Sequence, residues 1–501
     1  MPGSTRARAA GAAPRQDGHH RAGAPPWAWL VPVLVALATT AWRYDAKPLW
    51  RDEVYTLATA ERSYPVMLRG LRVTDAGLGP WYALVHPWVR VSTDEAWLRL
   101  PGALATVLAA ALVGLIASRL LRPGSAAGAR AVAGAVAGSA FALTPVVVDH
   151  AQEARPYPVV LACVAATAHG VLRDREDPRA RWLALWVGGS VLAAALHVLT
   201  GAPAVAALLA VAFALPGRAR RSRVALGALP AAAATLAMLA VGFSQAPGRI
   251  DDGFPLLRQT LRLSSAYVGG AFAVLVLLVL CAAGAAHLRR DRAHLLLVLA
   301  WAAAPVAALA ASAAGGQLFA ARYAGATAPA LAVLAGVGAG ALARRAGTGS
   351  ARAGVAALAV AALLVGQGAH LVQSRQRPYV TDDVPSAVAA LAQRARPGDA
   401  VVHLGNTTRP HVRYYLPAGT PVDDVLLLRD TDVSVSVGGD DLPDVQRAPA
   451  LAGRERVWLV GVVLNDPWEE VFASWVGPAR DGRALAFEGD YGAVRVELWE
   501  R

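Results

Sequence analysis

From residue 27 to residue 371 the chain returns repeatedly to apolar stretches long enough to cross a bilayer, and this recurrence constrains the fold more than any single motif. A helix rising ~1.5 Å per residue needs about 20 apolar residues to traverse a hydrocarbon core of ~30 Å. Runs of this kind fall near 27–44, 98–118, 131–148, 156–172, 182–199, 201–216, 224–243, 265–286, 294–312, 326–343 and 353–371. They predict an all-α polytopic membrane domain over 27–371 with about eleven transmembrane helices. The fifth and sixth runs are parted only by residues 197–203, the tightest boundary in the series. Hydrophobic residues make up 55% of the chain and mean hydropathy is +0.41, too apolar for an ordinary water-soluble enzyme.

The formal net charge of +13 would suit a nucleic-acid surface, but the arginines lie in short clusters between apolar runs, without interleaved aromatics. Nucleic acid is therefore not an expected partner. Such clusters mark cytoplasmic loops. They follow every second run: Arg119, Arg122 and Arg130; Arg173, Arg175, Arg179 and Arg181; Arg218, Arg220, Arg221 and Arg223; Arg289, Arg290 and Arg292; Arg344, Arg345 and Arg352. The alternation predicts a multi-pass plasma-membrane protein with residues 1–26 as a disordered cytoplasmic N-terminus. The first run has the length of a signal-peptide core, but Trp27, Trp29, Trp42 and Tyr44 flank it like aromatic belts and favour an uncleaved span. The outer face then carries a long first loop, 45–97, the connection 149–155, the segments 244–264 and 314–325, and everything after the last span. Cys163 and Cys281 both lie in apolar runs, which gives neither a disulfide framework nor a thiolate metal site.

Residues 372–501 change character, with Asp-rich turns and alternating apolar positions, and predict a small extracytoplasmic α/β domain. A helix is expected over 386–395, strands over 400–404, 425–428 and 457–463, and a hairpin over 485–499 around 489–492. Neither a phosphate loop nor a dinucleotide fingerprint occurs there.

Polar residues at the outer ends of spans are the candidates for chemistry, because membrane helices carry ionisable groups only where a cavity or partner compensates them. The sequence Trp50-Arg51-Asp52-Glu53 places two carboxylates just beyond the first span. Partial burial would raise a carboxylate toward the range of a useful general base. The same residues would also cap and charge the first turn of a helix through Ala60, and the two readings stand side by side. Further along the loop, Asp75, the run Gly79-Pro80-Trp81-Tyr82 and His86 form a turn leading into aromatics, which reads equally as an interfacial belt. This cluster lacks a firm metal-ligand spacing, so no metal site is assigned, although a divalent metal is compatible with the carboxylates. The connection Asp149-His150-Ala151-Gln152-Glu153-Ala154-Arg155-Pro156-Tyr157 is unusually polar. Its arginine would bind phosphate with a planar fork of donors, or else pair with Glu153 to tie two helices together. Arg322-Tyr323 breaks the positive-inside pattern, which anionic headgroup binding and interfacial snorkelling explain equally well.

In this order, Trp50 to Glu53, the Gly-Pro-Trp-Tyr loop, Gln152 to Tyr157 and Arg322-Tyr323 resemble the C-superfamily polyprenyl-phosphate glycosyltransferases. The nearest likeness is to the protein O-mannosyltransferase and aminoarabinose-transferase relatives, particularly bacterial mannosyltransferase-like members. The resemblance covers most of residues 27–345 and implies two helices lying along the membrane in the first outer loop. It implies a polyprenyl-phosphate sugar donor, mannose as the leading sugar, and a protein, lipid or glycan acceptor. By similarity Asp52 would activate the acceptor hydroxyl with Glu53 beside it, and Arg155 and Arg322 would hold the lipid phosphate. Inversion at the anomeric carbon would follow. Substrate contacts are expected from Gln152, Glu153, Tyr157, Tyr323, Asp75, Tyr82 and His86. Two departures stand out: Gly77-Leu78-Gly79 replaces the histidine that many relatives carry in this loop, and Arg51 precedes the acidic pair.

Two other classes compete. A transporter or lipid flippase predicts ionisable groups or broken helices near mid-membrane and some repeat symmetry, neither of which stands out. A scaffold anchored by its spans would not need about eleven of them.

Overall fold

The computed structural model describes residues 23–121, 124–215, 217–245, 271–314, 320–376, 382–462 and 468–501. The chain is a polytopic helical membrane protein carrying a small C-terminal sheet domain. Among the described residues, six helices are long and apolar enough to cross a membrane, four more are apolar and shorter, and Tyr157–Glu176 adds one with a charged last turn. These match the apolar runs one for one. In chain order, α1 is Trp27–Ala41; α2 (Arg51–Ala60), α3 (Tyr64–Leu71) and α4 (Gly79–Val89) lie in the first loop; α5 is Glu95–Leu120, α6 Ala127–Leu143 and the short α7 Pro145–His150. Next come α8 (Tyr157–Glu176), α9 (Ala180–Leu196), α10 (Val198–Ala214), α11 (Arg218–Gln245), α12 (Ala271–Leu288), α13 (Arg292–Ala314), α14 (Thr327–Arg345) and α15 (Gly349–Gln376).

Two sequence expectations about the spans and the first loop are refined. The first loop holds three short helices rather than two, because the chain breaks at residues 61–63 and restarts where Pro65 and Pro80 sit in the first turns of α3 and α4. The boundary between α9 and α10 narrows to His197, whose extended backbone (φ −161°, ψ 92°) reverses the chain in one residue. Its ring accepts from the Thr200 amide at 3.2 Å. That reversal needs small contacts: a Cβ on Gly201 would stand 2.1 Å from the Ala193 carbonyl oxygen. Finally, residues 1–22, 246–264, 265–270 and 315–319 belong to expected segments that lie outside the described residues.

Lipid tails give helices no hydrophobic reason to associate, so close packing of small residues supplies it. Helices α12 and α14 cross where a Cβ on Gly338 would meet the Leu280 carbonyl oxygen at 2.0 Å and one on Gly284 the Leu334 carbonyl oxygen at 2.1 Å. Helix α14 is the buried centre of the bundle, with 83% of its most apolar window enclosed by protein.

The C-terminal domain is a five-stranded sheet of order β2-β1-β5-β7-β6, where β1 is Asp399–Leu404, β2 Val422–Asp423, β5 Arg456–Val462, β6 Ala484–Tyr491 and β7 Val494–Glu500; β3 (Leu427–Arg429) and β4 (Asp440–Asp441) form a separate ladder. Strand β1 runs parallel to β2 and β5, whereas β7 is antiparallel to β5 and β6. Side chains alternate between two cores: Val401, Trp458 and Val496 meet α16 (Val384–Arg394), while Val402, Leu459 and Ala400 face Leu451, Val476 and Ala479. The expected helix, the hairpin and the strand at 400–404 are present, and the strand expected over 457–463 is present through residue 462, residue 463 lying outside the described residues. The strand expected over 425–428 shifts to Leu427–Arg429, because only there does a partner strand, β4, supply a ladder.

This domain rests on the first loop. From α17 (Thr408–Tyr415), the Tyr415 hydroxyl accepts from the Leu49 amide at 2.6 Å and His411 Nε2 meets the Leu49 carbonyl oxygen at 2.8 Å. Tyr415 also donates to Glu95 at 2.6 Å, Tyr414 donates to the Thr93 carbonyl at 2.9 Å and Arg62 to that of Val435 at 3.1 Å.

Candidate functional site

The site assembles at the start of α2. A carboxylate at the third position of a helix can reach back to its first free amides, and Glu53 does so, accepting from the Trp50 amide at 3.3 Å. The rest of its carboxylate is taken by Arg99 (Nε to Oε1 2.9 Å, Nη2 to Oε2 2.8 Å) and by the Ala154 amide at 2.8 Å. Both side chains are buried, at 1% and 2% exposure. Arg99 spends its remaining donors on the carbonyls of Lys47 and Pro48, at 2.7 and 3.0 Å. One buried ion pair thus ties residues 47–50, α2, α5 and the 151–156 connection into a single body.

Asp52, one residue earlier and about 100° around the helix, faces a different environment. Its Oδ2 lies 3.7 Å from Arg155 Nη2 and 3.9 Å from Arg322 Nη2, and its side chain is 26% exposed. Arg155 is buried, donates Nη1 at 3.3 Å both to the Asp52 carbonyl and to Thr56 Oγ1, and has an Nε–H without a hydrogen-bond partner among the described residues. Arg322 donates Nε to the Tyr157 hydroxyl at 3.1 Å and lies over the Tyr323 ring. The rings of Tyr157, His197 and Tyr323 meet in succession at tilted angles, with centroids 5.0 Å apart.

Across from α2, Asp75 takes a hydrogen bond from the Tyr82 hydroxyl. It sits at φ 59°, ψ 25°, a left-handed conformation that is strained for a residue with a Cβ and recurs at functional sites. Burial pushes the Asp75 carboxyl up; the Tyr82 hydroxyl and Arg155 oppose that shift, and the Asp52 charge adds to it. Burial likewise raises the Tyr55 and Tyr82 phenols, with the Asp75 charge adding to both. The turn is clamped from outside by Gln245 at the end of α11, which donates to the Leu71 carbonyl at 2.6 Å and accepts from the Ala76 amide at 2.8 Å.

Of the sequence-selected residues, the structure therefore brings together Asp52, Arg155, Tyr157, Arg322 and Tyr323, with Asp75 and Tyr82 electrostatically coupled to them. The others make different contacts. Gln152 Nε2 donates to the carbonyls of Thr40 and Trp42, Glu153 meets His150 at 2.7 Å, and His86 meets the Ala60 carbonyl at 2.8 Å against the Tyr64 ring. Arg155 pairs with Asp52 instead of Glu153, and the partner of Glu53 is Arg99. Arg99, Thr56, His197 and Gln245 were not singled out in the sequence; an arginine inside the first turns of a span was the available signal for the first. Among the described residues, no three His, Cys, Asp or Glu side chains converge as metal ligands.

Beside Tyr323 opens an apolar cavity of about 360 Å³ between α10, α11 and α13, lined by residues including Val198, Ala202, Leu239 and Leu309. Superposed on solved structures, the chain matches ArnT from Cupriavidus metallidurans bound to undecaprenyl phosphate with a TM-score of 0.55 at 15% identity, over 95% of this chain and 98% of that one. The fold is that of ArnT. The apo state of the same protein matches equally, with a TM-score of 0.55 at 14% identity over 94% and 97% of the two chains. No family model matches the sequence, and no curated protein matches it.

Proposed function

We propose that this chain is a polyprenyl-phosphate-dependent glycosyltransferase that moves a sugar, mannose foremost, to a hydroxyl of a protein, lipid or glycan acceptor outside the cytoplasm. The observation that carries the reading is the Asp52 carboxylate held 3.7 and 3.9 Å from two arginines without a close hydrogen bond to either, beside a buried Arg155 Nε–H that has no hydrogen-bond partner among the described residues. Such an arrangement has donors left for an anion and a carboxylate left for a proton. Support also comes from the shared fold with ArnT, solved with undecaprenyl phosphate, and from the apolar cavity that reaches Tyr323.

In the proposed reaction Asp52 takes the proton of the acceptor hydroxyl as its oxygen attacks the anomeric carbon. The bond from that carbon to the phosphate oxygen breaks, its electron pair leaves with the lipid phosphate, and the configuration inverts. Arg155 and Arg322 meet the charge that grows on the leaving phosphate, where fixed donors in a water-poor site help most. Asp75 and Tyr82 orient the acceptor from the facing turn. Glu53, Gln152, Glu153 and His86 act as positioning residues that hold the connections around the site. The N-terminus lies inside, and the site with the C-terminal domain lies outside.

The test is transfer of labelled mannose from polyprenyl phosphate in membranes holding the wild type, Asp52→Asn or Arg155→Ala at matched expression. Loss of about 10²-fold or more in Asp52→Asn is expected of a general base. Undiminished transfer in both variants would remove these residues from the chemistry. Transfer of another sugar in place of mannose would keep the mechanism and correct the donor.

A further inference from the structure

Helix α2 is used on two sides. Asp52 and Thr56 meet Arg155, whereas Val54, Leu57, Ala58 and the following Glu61 lie roughly 140–240° further around the axis and line a cleft of about 370 Å³ against the C-terminal domain. The three α2 side chains make an aliphatic floor. Tyr414 of α17 forms a wall, held by its hydroxyl bond to the Thr93 carbonyl at 2.9 Å and by the Tyr415 ring standing edge-on at 4.8 Å. The rim carries two exposed carboxylates, Glu61 from the first loop and Asp432 from the C-terminal domain. Neither makes an ion pair or a side-chain hydrogen bond among the described residues, whereas Asp424, Asp430 and Asp441 of the same domain are all paired with arginine. Burial raises the Glu61 carboxyl; the Arg90 charge opposes that shift and the Asp432 charge adds to it, so the two acids act on each other across the cleft. Arg62, buried in the same lining, spends both Nη groups on the Val435 and Ser436 carbonyls and keeps an Nε–H without a hydrogen-bond partner among the described residues.

A cleft at a domain boundary with an aliphatic floor, a fixed aromatic ring, two open acceptors and an unspent donor fits a ligand that joins apolar faces to many hydroxyls. A sugar ring is such a ligand: its C–H face lies on tyrosine and aliphatic carbon while its hydroxyls donate to carboxylates. A basic peptide would satisfy the two acids but would meet the charges of Arg62 and Arg413 in the same cleft. We propose that this cleft binds a neutral oligosaccharide, and that it holds part of a glycan acceptor away from the hydroxyl that reacts at Asp52. The binding stands on the cleft alone; the acceptor role rests on the glycosyltransferase reading given above. A helix about 10–12 Å thick separates the cleft from Asp52, so an acceptor that uses both must be a chain and not a single sugar.

The full-length protein in detergent is titrated calorimetrically with mannotetraose, maltotetraose, tetraacetylchitotetraose and, as the competing class, tetralysine. One of the tetrasaccharides is expected to bind. Glu61→Ala with Asp432→Ala, both at exposed positions, is expected to weaken it about tenfold or more, the worth of a hydrogen bond to a charged group. Asp432→Arg, a single exposed change that fills the rim, is expected to do the same, and Asp52→Asn to leave binding intact. Binding of none of the three sugars, equal binding by wild type and both rim variants, or binding of tetralysine in their place would overturn the site. With a labelled polyprenyl-phosphate sugar, transfer to the tetrasaccharide that binds is expected to show a raised KM and an unchanged kcat in the double rim variant. An unchanged KM would overturn the acceptor role and keep the glycan site, whereas binding without any transfer by wild type would count against the glycosyltransferase reading and not against the cleft.

Discussion

Glu53 and Asp52 are neighbours in sequence with different predicted fates, and Glu53→Gln against Asp52→Asn separates them. In the first variant the buried Arg99 loses its closest counter-charge while keeping Glu95 at 4.0 Å and the Lys47 and Pro48 carbonyls. Breaking a buried pair from one side costs about 3–5 kcal/mol, and the two remaining carbonyls favour the lower end. Asp52, at 3.7 and 3.9 Å from its partners and 26% exposed, contributes at most about 1 kcal/mol to folding. Thermal unfolding of purified protein should therefore drop by several degrees in Glu53→Gln and hardly move in Asp52→Asn. Transfer activity per folded molecule should show the reverse order, with the deeper loss in Asp52→Asn. Hydrogen exchange adds a local readout: the Ala154 amide, bonded to Glu53 at 2.8 Å, should open only in Glu53→Gln. A Glu53→Gln protein of unchanged stability with activity lost as fully as in Asp52→Asn would refute this division and make Glu53 the reacting carboxylate.

Arg322→Gln removes a charge-assisted contact to the proposed lipid phosphate, so its affinity for a polyprenyl phosphate should fall by about tenfold or more, worth roughly 1.5–3 kcal/mol; unchanged binding would detach Arg322 from the donor. Gln245→Ala deletes both clamps on the Asp75 turn, and hydrogen exchange at the Ala76 amide should accelerate together with a partial loss of transfer, whereas unaltered exchange would show that the turn holds itself. In the C-terminal domain burial pushes the Asp424 carboxyl up, yet the His403 and Arg409 side chains hold it below its ordinary 3.8. A depressed carboxylate adds stability that is complete above its unfolded value and fades as pH falls through the folded one, so Asp424→Asn should destabilise at pH 7 and lose that penalty progressively below about pH 4. A penalty constant from pH 7 to pH 3 would contradict the ion pair.

The spans were legible because burial in lipid imposes one long apolar period that no neighbour can override, and even the α9–α10 reversal at His197 sat where two runs nearly fused. Asp52, Arg155 and Arg322 were legible for a related reason: charges at the ends of spans are expensive enough to stand out. What could not be read is how charges pair. Arg51 lies two residues from Glu53 in sequence, but Arg99, 46 residues away, is the one that reaches it. Nothing local to Gln245 points to residues 71 and 76, which it meets across roughly 170 positions. The first loop's third helix depended on where its prolines fell relative to a break at 61–63, a matter of packing against α2.

The same non-local logic explains why a soluble domain accompanies the spans. Both backbone polar groups of Leu49 are held by α17, its amide by Tyr415 and its carbonyl by His411. Two residues earlier and one residue earlier, the carbonyls of Lys47 and Pro48 belong to Arg99. The extended stretch that launches α2 is thereby fixed from one side by a buried arginine of α5 and from another by the C-terminal domain, and Asp52 follows it by three residues. A helix start held from two directions has little freedom to rotate, so the distance from Asp52 to Arg155 and Arg322 depends on the docking of residues that lie more than 350 positions away in the chain.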